Sequence, residues 1–362
     1  MKRKTKSVAL GLVSAAALVG VGAPVASAEG GGQAAPPVKV VASGLEGPFG
    51  LGAGSSRLYV AESGDGQITK INPVTGRKTV VARGLPSPAA VDKVGGSLAI
   101  VTGGAEDPNT KGDATLFVKG RDSRRRKLAN LEKYELRHNP DGQTQFDPES
   151  GEPLDALSNP FAVLGRRGPG FVFVADAGAN AVLSVTRSGK VSTFFVPPLV
   201  TSGACKDAPN NHPDDPKGCD PVPTGLAYGP GNRLYVSTLS AEVEGQGRVY
   251  VLNGRTGKVL EVIKGFTAPT GVAVSRDGTV YVSELLHNAP PGEPPPGFDP
   301  STVGRIVRVA PNGSRTYAAV TMPVGLTWHQ GRLYSTAWSV AGLFLGIPDA
   351  GQVVKVRQSA FR

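Results

Sequence analysis

The feature that most constrains this chain is a unit of four short apolar runs that recurs along its length. Each unit opens on a proline followed by a small or apolar pair, turns at a glycine and enters a strand such as Arg57-Leu58-Tyr59-Val60. A loop, a third apolar run, a turn and a last run complete it. Starts fall at Pro48, Pro88, Pro160, Pro223, Pro269 and Pro323. The second runs include Phe171-Val172-Phe173-Val174, Arg233-Leu234-Tyr235-Val236, Thr279-Val280-Tyr281-Val282 and Arg332-Leu333-Tyr334-Ser335, with Ser97-Leu98-Ala99-Ile100 degenerate. Third runs follow at 67–71, 114–118, 181–185, 248–252, 305–309 and 352–356. Turn residues that tolerate positive φ, as in Asn72-Pro73-Val74-Thr75-Gly76 and Pro311-Asn312-Gly313, separate third runs from fourth. One such unit cannot bury its apolar faces alone, whereas neighbours around an axis cover each other. The predicted fold is all-β, a six-bladed β-propeller with four antiparallel strands per blade.

The ends of the chain complete the ring. The sixth unit stops after its third run, and Val38-Lys39-Val40-Val41-Ala42 is a spare strand resembling the end of the first unit, Val80-Val81-Ala82. This strand is expected as the outer strand of the last blade, removing two open sheet edges.

With strands A to D counted from the axis, B-to-C loops and D-to-A crossings share one face, here called the top. The long insertions fall there, at 102–113, 130–158, 197–222, 238–247, 284–304 and 337–351, and loops gathered on one face of a repeat fold build binding surfaces. The second insertion carries the one helix the sequence predicts, Leu131 to His138, with Asn130 as N-cap and Asn139-Pro140 as the stop.

Lys2, Arg3, Lys4 and Lys6, the apolar stretch from Val8 to Val21, and Ala26-Ser27-Ala28 read as a secretory signal peptide over 1–28. A flexible linker, 29–37, and the propeller domain, 38–362, follow. The general export route and a secreted, extracellular location are expected, with no membrane span. Losing the four basic residues of the signal lowers the net charge from +10 to +6, and the basic run Arg121 to Lys127 reads as a solvated turn. Outside the cell, no nucleic-acid partner is expected. Cys205 and Cys219 enclose thirteen residues rich in Pro, Asn and Asp and, in an oxidising compartment, are expected to form a disulfide. Zinc ligation with His212 matches no standard spacing.

Nucleophilic catalysis finds little support: there is no G-x-S-x-G elbow, and His138, His212, His287 and His329 sit in different segments. What remains are oxygen donors. Glu62, Asp176 and Glu284 hold equivalent positions after their B strands, and Asn159 begins an A strand, so these four are the candidate metal ligands near the axis. Such donors suit Ca2+. Asp92, Glu135, Asn139, Asp155 and Asn180 are candidates for the ligand face. Asp176 and Asn180 are equally read as turn residues, since Asp and Asn make side-chain turns in a D-x-G-x-N run.

The run Val174-Ala175-Asp176-Ala177-Gly178-Ala179-Asn180-Ala181-Val182 resembles the NHL repeat signature, and Val60-Ala61-Glu62-Ser63-Gly64-Asp65-Gly66-Gln67-Ile68 is a weaker copy. The order Tyr134-Glu135, Asn139-Pro140-Asp141-Gly142, Ser158-Asn159-Pro160-Phe161, Ala175 to Asn180 and Pro223-Thr224-Gly225-Leu226-Ala227 resembles the bacterial secreted ScyD/ScyE family over essentially the whole mature chain. That resemblance implies export and the propeller fold. Broader six-bladed relatives include calcium-dependent lactonases of the gluconolactonase type, which hold a metal on the axis with Glu, Asn and Asp; Glu62, Asn159 and Asp176 match in type, and a second axial Asn is missing. The function expected first is non-catalytic binding of an extracellular protein, glycan or small molecule on the top face, by a monomer. The alternative is a metal-dependent hydrolase, lactonase or lyase with an axial Ca2+ site.

Overall fold

A computed structural model of the chain describes residues 36–103, 114–121, 124–146, 149–151, 158–214, 216–292 and 294–362. The signal segment, 1–28, and most of the linker, 29–37, lie outside these residues, as does Asp155. Six four-stranded antiparallel sheets form the blades of a propeller. The first is Pro48–Ala53, Leu58–Glu62, Gln67–Ile71 and Lys78–Ala82; the second is Pro88–Val94, Ser97–Thr102, Thr115–Lys119 and Arg126–Asn130. The third and fourth are Pro160–Gly165, Val172–Asp176, Ala181–Val185, Val191–Phe195 and Pro223–Tyr228, Arg233–Thr238, Gly247–Asn253, Val259–Phe266. The fifth is Pro269–Val274, Val280–Glu284, Arg305–Val309 and Arg315–Ala319.

The sixth blade draws on both ends of the chain. Leu326–His329, Arg332–Ala337 and Gly351–Val356 are completed by Val38–Leu45, which pairs antiparallel with the last of them from Val38↔Val356 to Leu45↔Gly351. The N-terminal strand thus closes the ring, and it runs three residues beyond the predicted Ala42 because Ser43-Gly44-Leu45 continue the pairing past a bulge.

The core is a series of wedges between neighbouring blades. Leu58, Val60 and Ile71 of blade 1 meet Tyr334 and Val353 of blade 6, while Ala61 and Ile68 meet Leu98, Ile100 and Phe117 of blade 2. The aromatic residue at the centre of the second strand recurs as filler. Phe173 packs toward Leu234 and Val236, Tyr235 toward Val272 and Val274, and Tyr281 stacks on Trp328 at 5.5 Å between ring centroids. A buried ring of this size contributes roughly 2–3 kcal/mol through the apolar area it removes from water. In the degenerate second unit, Ala99 stands in that place and Phe171, Val172 and Val174 of blade 3 help fill the wedge.

At the top of every blade the same hydrogen bond recurs. In blades 1 to 5 the first N–H after the second strand donates to the carbonyl just before the opening proline: Ser63 to Gly47 (2.8 Å), Gly103 to Ser87 (3.1 Å), Ala177 to Asn159 (2.9 Å), Leu239 to Val222 (2.9 Å) and Leu285 to Ala268 (3.3 Å); in blade 6 the donor is one residue further on, Ser339 to Met322 (3.2 Å). Proline suits the next position because it has no N–H to leave unpaired where the crossing enters the first strand. Ser87, Val222, Ala268 and Met322 adopt φ between 35° and 52°, a left-handed conformation costly for residues with a Cβ. The repeated bond holds them there.

Helix α1 (Leu131–His138) stands where the sequence places it, with the Asn130 carboxamide oxygen accepting from the Lys133 N–H at 2.6 Å and Asn139 closing it at φ 42°. A second short helix, α2 (Ala341–Leu345), was not expected. It has no side-chain N-cap and ends on Gly346 at φ 64°, so little in its sequence announces it. The expected disulfide joins Cys205 to Cys219 with their Cα atoms 5.1 Å apart. Among the described residues no helix is long and apolar enough to cross a membrane.

Removing residues 36–42 should strip most of the outer strand from blade 6 and expose the edge of Gly351–Val356. The expected outcome is a lower melting temperature and concentration-dependent self-association by size-exclusion chromatography; a monomer melting like the parent would contradict the closing role.

Candidate functional site

The three carboxylates expected just after the second strands are instead their last residues, all buried, and each is turned to its own blade. Glu62 accepts the Glu46 N–H through Oε2 (3.2 Å) and the Gln67 side-chain amide through Oε1 (3.1 Å). Asp176 accepts the N–H groups of Asn159 (2.7 Å) and Ala179 (3.3 Å) through Oδ1 and the Ser158 hydroxyl through Oδ2 (2.6 Å). Glu284 accepts the Thr267 N–H through Oε1 (2.7 Å), while its Oε2 pairs with the Arg305 guanidinium at 2.5 Å. Each one therefore caps the backbone crossing that enters its own blade. Burial raises Asp176 to about 6 against the pull of its three hydrogen bonds.

The axis itself opens on apolar surface at this face. Phe49 and Phe161, which follow the opening prolines of blades 1 and 3, lie 5.9 Å apart between ring centroids. They join a cluster with Leu285, Met322, Val324 and Val340. Among the described residues no three His, Cys, Asp or Glu side chains converge tightly enough to hold one ion. An axial Ca2+ held by Glu62, Asn159, Asp176 and Glu284 does not fit this arrangement, because the carboxylates are engaged elsewhere and one is neutralised by Arg305.

Beside the two rings lies a cavity of about 460 Å³, walled by Glu46, Ser63, Ser87, Asn159 and Leu343. Glu46, from the crossing into blade 1, is its acidic group. Its Oε2 accepts the Asp349 N–H, and its own N–H is held by Glu62. A side chain at Gly342 would collide with Glu46 Oε1 at 2.1 Å, so glycine is needed there for the carboxylate to take this position. Sequence reasoning missed Glu46. Its place in a D-to-A crossing two residues before Pro48 was the available signal.

Asp92 departs from expectation. As the fifth residue of a strand that descends from the top face, it lines the lower channel, a space of about 340 Å³, with Arg167, Tyr228 and Trp328. Its carboxylate accepts the N–H groups of Gly165 and Lys93, both at 2.8 Å, and so joins blade 2 to blade 3. Burial pushes it up to about 6, with both hydrogen bonds acting in the other direction. It belongs to the channel wall and not to the top face.

Of the other ligand-face candidates, Glu135, Asn139 and Asn180 gather beside blade 3. Glu135 is buried on α1, and its Oε1 accepts the Gln145 side-chain amide at 3.3 Å. Burial, then the charges of Asp141 and Asp176, raise it to about 8. Asn180 donates to Asp141 Oδ2 (3.0 Å) and accepts the Val222 N–H (3.0 Å). Asp141 and Asp220, not singled out from the sequence, complete the group. Asp220 accepts the Gln143 side-chain amide, and burial raises it to about 6. It directly follows Cys219, so the disulfide holds its backbone in place. His212 is a basic group whose charge acts on both Asp141 and Asp220.

Together these features define a six-bladed propeller with a small-molecule-sized cavity at its axial mouth and a carboxyl cluster beside it. No family model and no curated protein sequence matches the chain. Solved structures do. A regucalcin from Agrobacterium tumefaciens, described as a calcium-binding protein, is similar at 15% identity and TM-score 0.52, over 88% of this chain and 92% of that one. A gluconolactonase from Xanthomonas campestris is similar at 12% and 0.54, over 88% and 89%. A luciferin-regenerating enzyme is similar at 11% and 0.55, over 90% and 96%. At these identities the shared property is the fold.

Two measurements check this account. Glu284→Ala leaves Arg305 and the Thr267 N–H without their partner, and should cost about 3 kcal/mol of stability in chemical denaturation, equally with and without calcium. A loss seen only with calcium would restore the axial ion. For Asp92, the folded carboxyl keeps its proton to about pH 6 whereas the unfolded chain releases it near about pH 4. Its contribution is therefore most favourable below about pH 4 and is lost as pH rises through about pH 6. Asp92→Asn should gain on the wild type over that window by up to about 3 kcal/mol; a difference independent of pH would refute the assignment.

Proposed function

We propose that this chain is an exported propeller enzyme, a hydrolase or lyase of a small molecule, that works at the axial mouth of its loop-rich face with Glu46 as proton acceptor. The observation that carries this reading is the Glu46 carboxylate, anchored at both its backbone N–H and its Oε2, at the wall of a cavity of about 460 Å³. A cavity of that size takes a small ligand, and its mixture of Phe49 and Phe161 rings with Ser63, Ser87 and Asn159 offers an apolar floor with a few polar contacts. Hydrolysis and elimination share one demand, removal of a proton from water or from carbon, and a positioned carboxylate supplies it. Glu62 acts as a positioning residue by holding the Glu46 backbone. Ser63, Ser87 and the Asn159 amide are the groups placed to orient a carbonyl or leaving oxygen.

The gluconolactonase and luciferin-regenerating enzyme with similar architecture support a small-molecule reaction in preference to passive binding. The disulfide is compatible with an oxidising, extracellular setting, in line with the signal-peptide reading of residues 1–28. The ScyD/ScyE resemblance belongs to the same proposal through its motifs at 134–142, 158–161 and 175–180.

The test is a turnover screen of the purified mature chain against lactones, esters and substrates prone to β-elimination, followed by Glu46→Gln. Turnover should fall by about 100-fold or more, with ligand affinity and melting temperature little changed. Equal turnover in Glu46→Gln would remove Glu46 from the chemistry. Tight capture of a ligand with no turnover would return the protein to the non-catalytic binding role.

A further inference from the structure

We propose that the chain carries a calcium-type cation site away from the axis, at the C-terminal end of α1, with Glu135 Oε2 and Asn139 Oδ1 as ligands and Asp141 beside them. Three oxygen acceptors in this insertion cluster, Glu135 Oε2, Asn139 Oδ1 and Asn211 Oδ1, are sealed from solvent with no hydrogen-bond partner. Leaving a polar oxygen buried and unpaired costs roughly 1–3 kcal/mol, and more for a charged group. Asn139 Oδ1 and Asn211 Oδ1 are acceptors and Glu135, raised to about 8, becomes one when it gives up its proton, so a cation that displaces this proton satisfies all three.

Geometry ties two of them to one place. Asn139, the left-handed cap, follows Glu135 by one turn, and its N–H closes that turn on the Glu135 carbonyl at 2.8 Å. Left-handed Asn139, at φ 42°, turns the chain so that Asp141 follows directly. The Asp141 oxygens bind the Gln143 N–H and the Asn180 amide, which brings blade 3 against the insertion. Asn211 belongs to the disulfide-closed loop, and its carbonyl accepts the Thr144 N–H at 3.0 Å. Asp176 and Asp220 add negative charge nearby, and the C-terminal end of a helix adds the negative end of its dipole.

The donor set selects the ion. With no trio of His, Cys, Asp or Glu converging among the described residues, side-chain amides must complete any shell. Hard cations such as Ca2+ accept carboxylate and amide oxygens together, whereas zinc takes sulfur and imidazole first. Because these oxygens are closed to water, a dehydrated ion suits them better than an organic ligand. Bound there, the ion would rivet the α1 insertion to blade 3 and to the disulfide loop. The inference uses none of the groups at the axial mouth, so it stands or falls separately from the role of Glu46.

The experiment starts from protein stripped with a chelator. Millimolar calcium should raise the melting temperature by about 5 °C, and elemental analysis after gel filtration should find one ion per chain. Glu135→Gln and Asn139→Gly, the latter keeping the left-handed cap, should each abolish the shift and the bound ion while the stripped forms stay folded by circular dichroism. Glu62→Gln should retain both. No shift together with no bound ion overturns the proposal, as does loss of calcium in Glu62→Gln with retention in Glu135→Gln, which would place the ion on the axis.

Discussion

The bond from the N–H after each second strand to the carbonyl before each opening proline is the interaction on which the functional face depends. Six repetitions of it set where the crossings enter the ring, and therefore which side chains stand at the mouth. Four of the carbonyl-bearing residues carry a Cβ at positive φ, so the crossings persist because this bond and the neighbouring strand pairs over-determine them. In blades 1, 3 and 5 a buried carboxylate adds a second restraint by accepting an N–H from the same crossing. The position that an axial metal reading assigns to chemistry is used here to hold the backbone.

That substitution of role explains why the cavity is shaped as it is. With Glu62 occupied by the Glu46 N–H, the acid that reaches the cavity comes from the crossing and not from the strand end. With Phe49 and Phe161 leading two of the inner strands, the mouth is apolar where a cation would need oxygen. The spare polar capacity of the molecule is displaced outward to the cluster around Glu135 and Asp141, where side chains from α1, the disulfide loop and blade 3 meet.

Most of the architecture was legible because it is written in local chemistry that repeats. Prolines marked inner-strand starts, paired turns marked outer hairpins, and Asn130 with Asn139 bracketed α1 to the residue. In blade 6 the inner strand begins at Leu326, three residues after Pro323, because Val324 and Gly325 are held by the Thr336 hydroxyl before strand pairing begins. The site was less legible. Strand alternation says which residues lie at a strand end but not which way a flexible carboxylate turns, so Glu62, Asp176 and Glu284 were placed correctly along the chain and differently in their contacts. Asp92 shows the complementary limit: its height along the axis depends on strand direction, which a residue type does not announce. Asp220 and Glu46 lie in loops whose course is decided by tertiary contacts, a disulfide in one case and a buried carboxylate in the other.

The shared sixth blade also has a consequence in time. Its outer strand, Val38–Leu45, is synthesised before blades 1 to 5 and its neighbour, Gly351–Val356, after them. Blades 1 to 5 consist of contiguous segments and can assemble in sequence, but the ring has no complete circumference until both ends are present together. Contacts between such distant segments form slowly, since the loop entropy comes before the reward of pairing. A chain arranged this way stays open while it is still emerging from a ribosome. The closed disc, and with it the cavity at the mouth, can arise only once strands from both sides of the last blade are present.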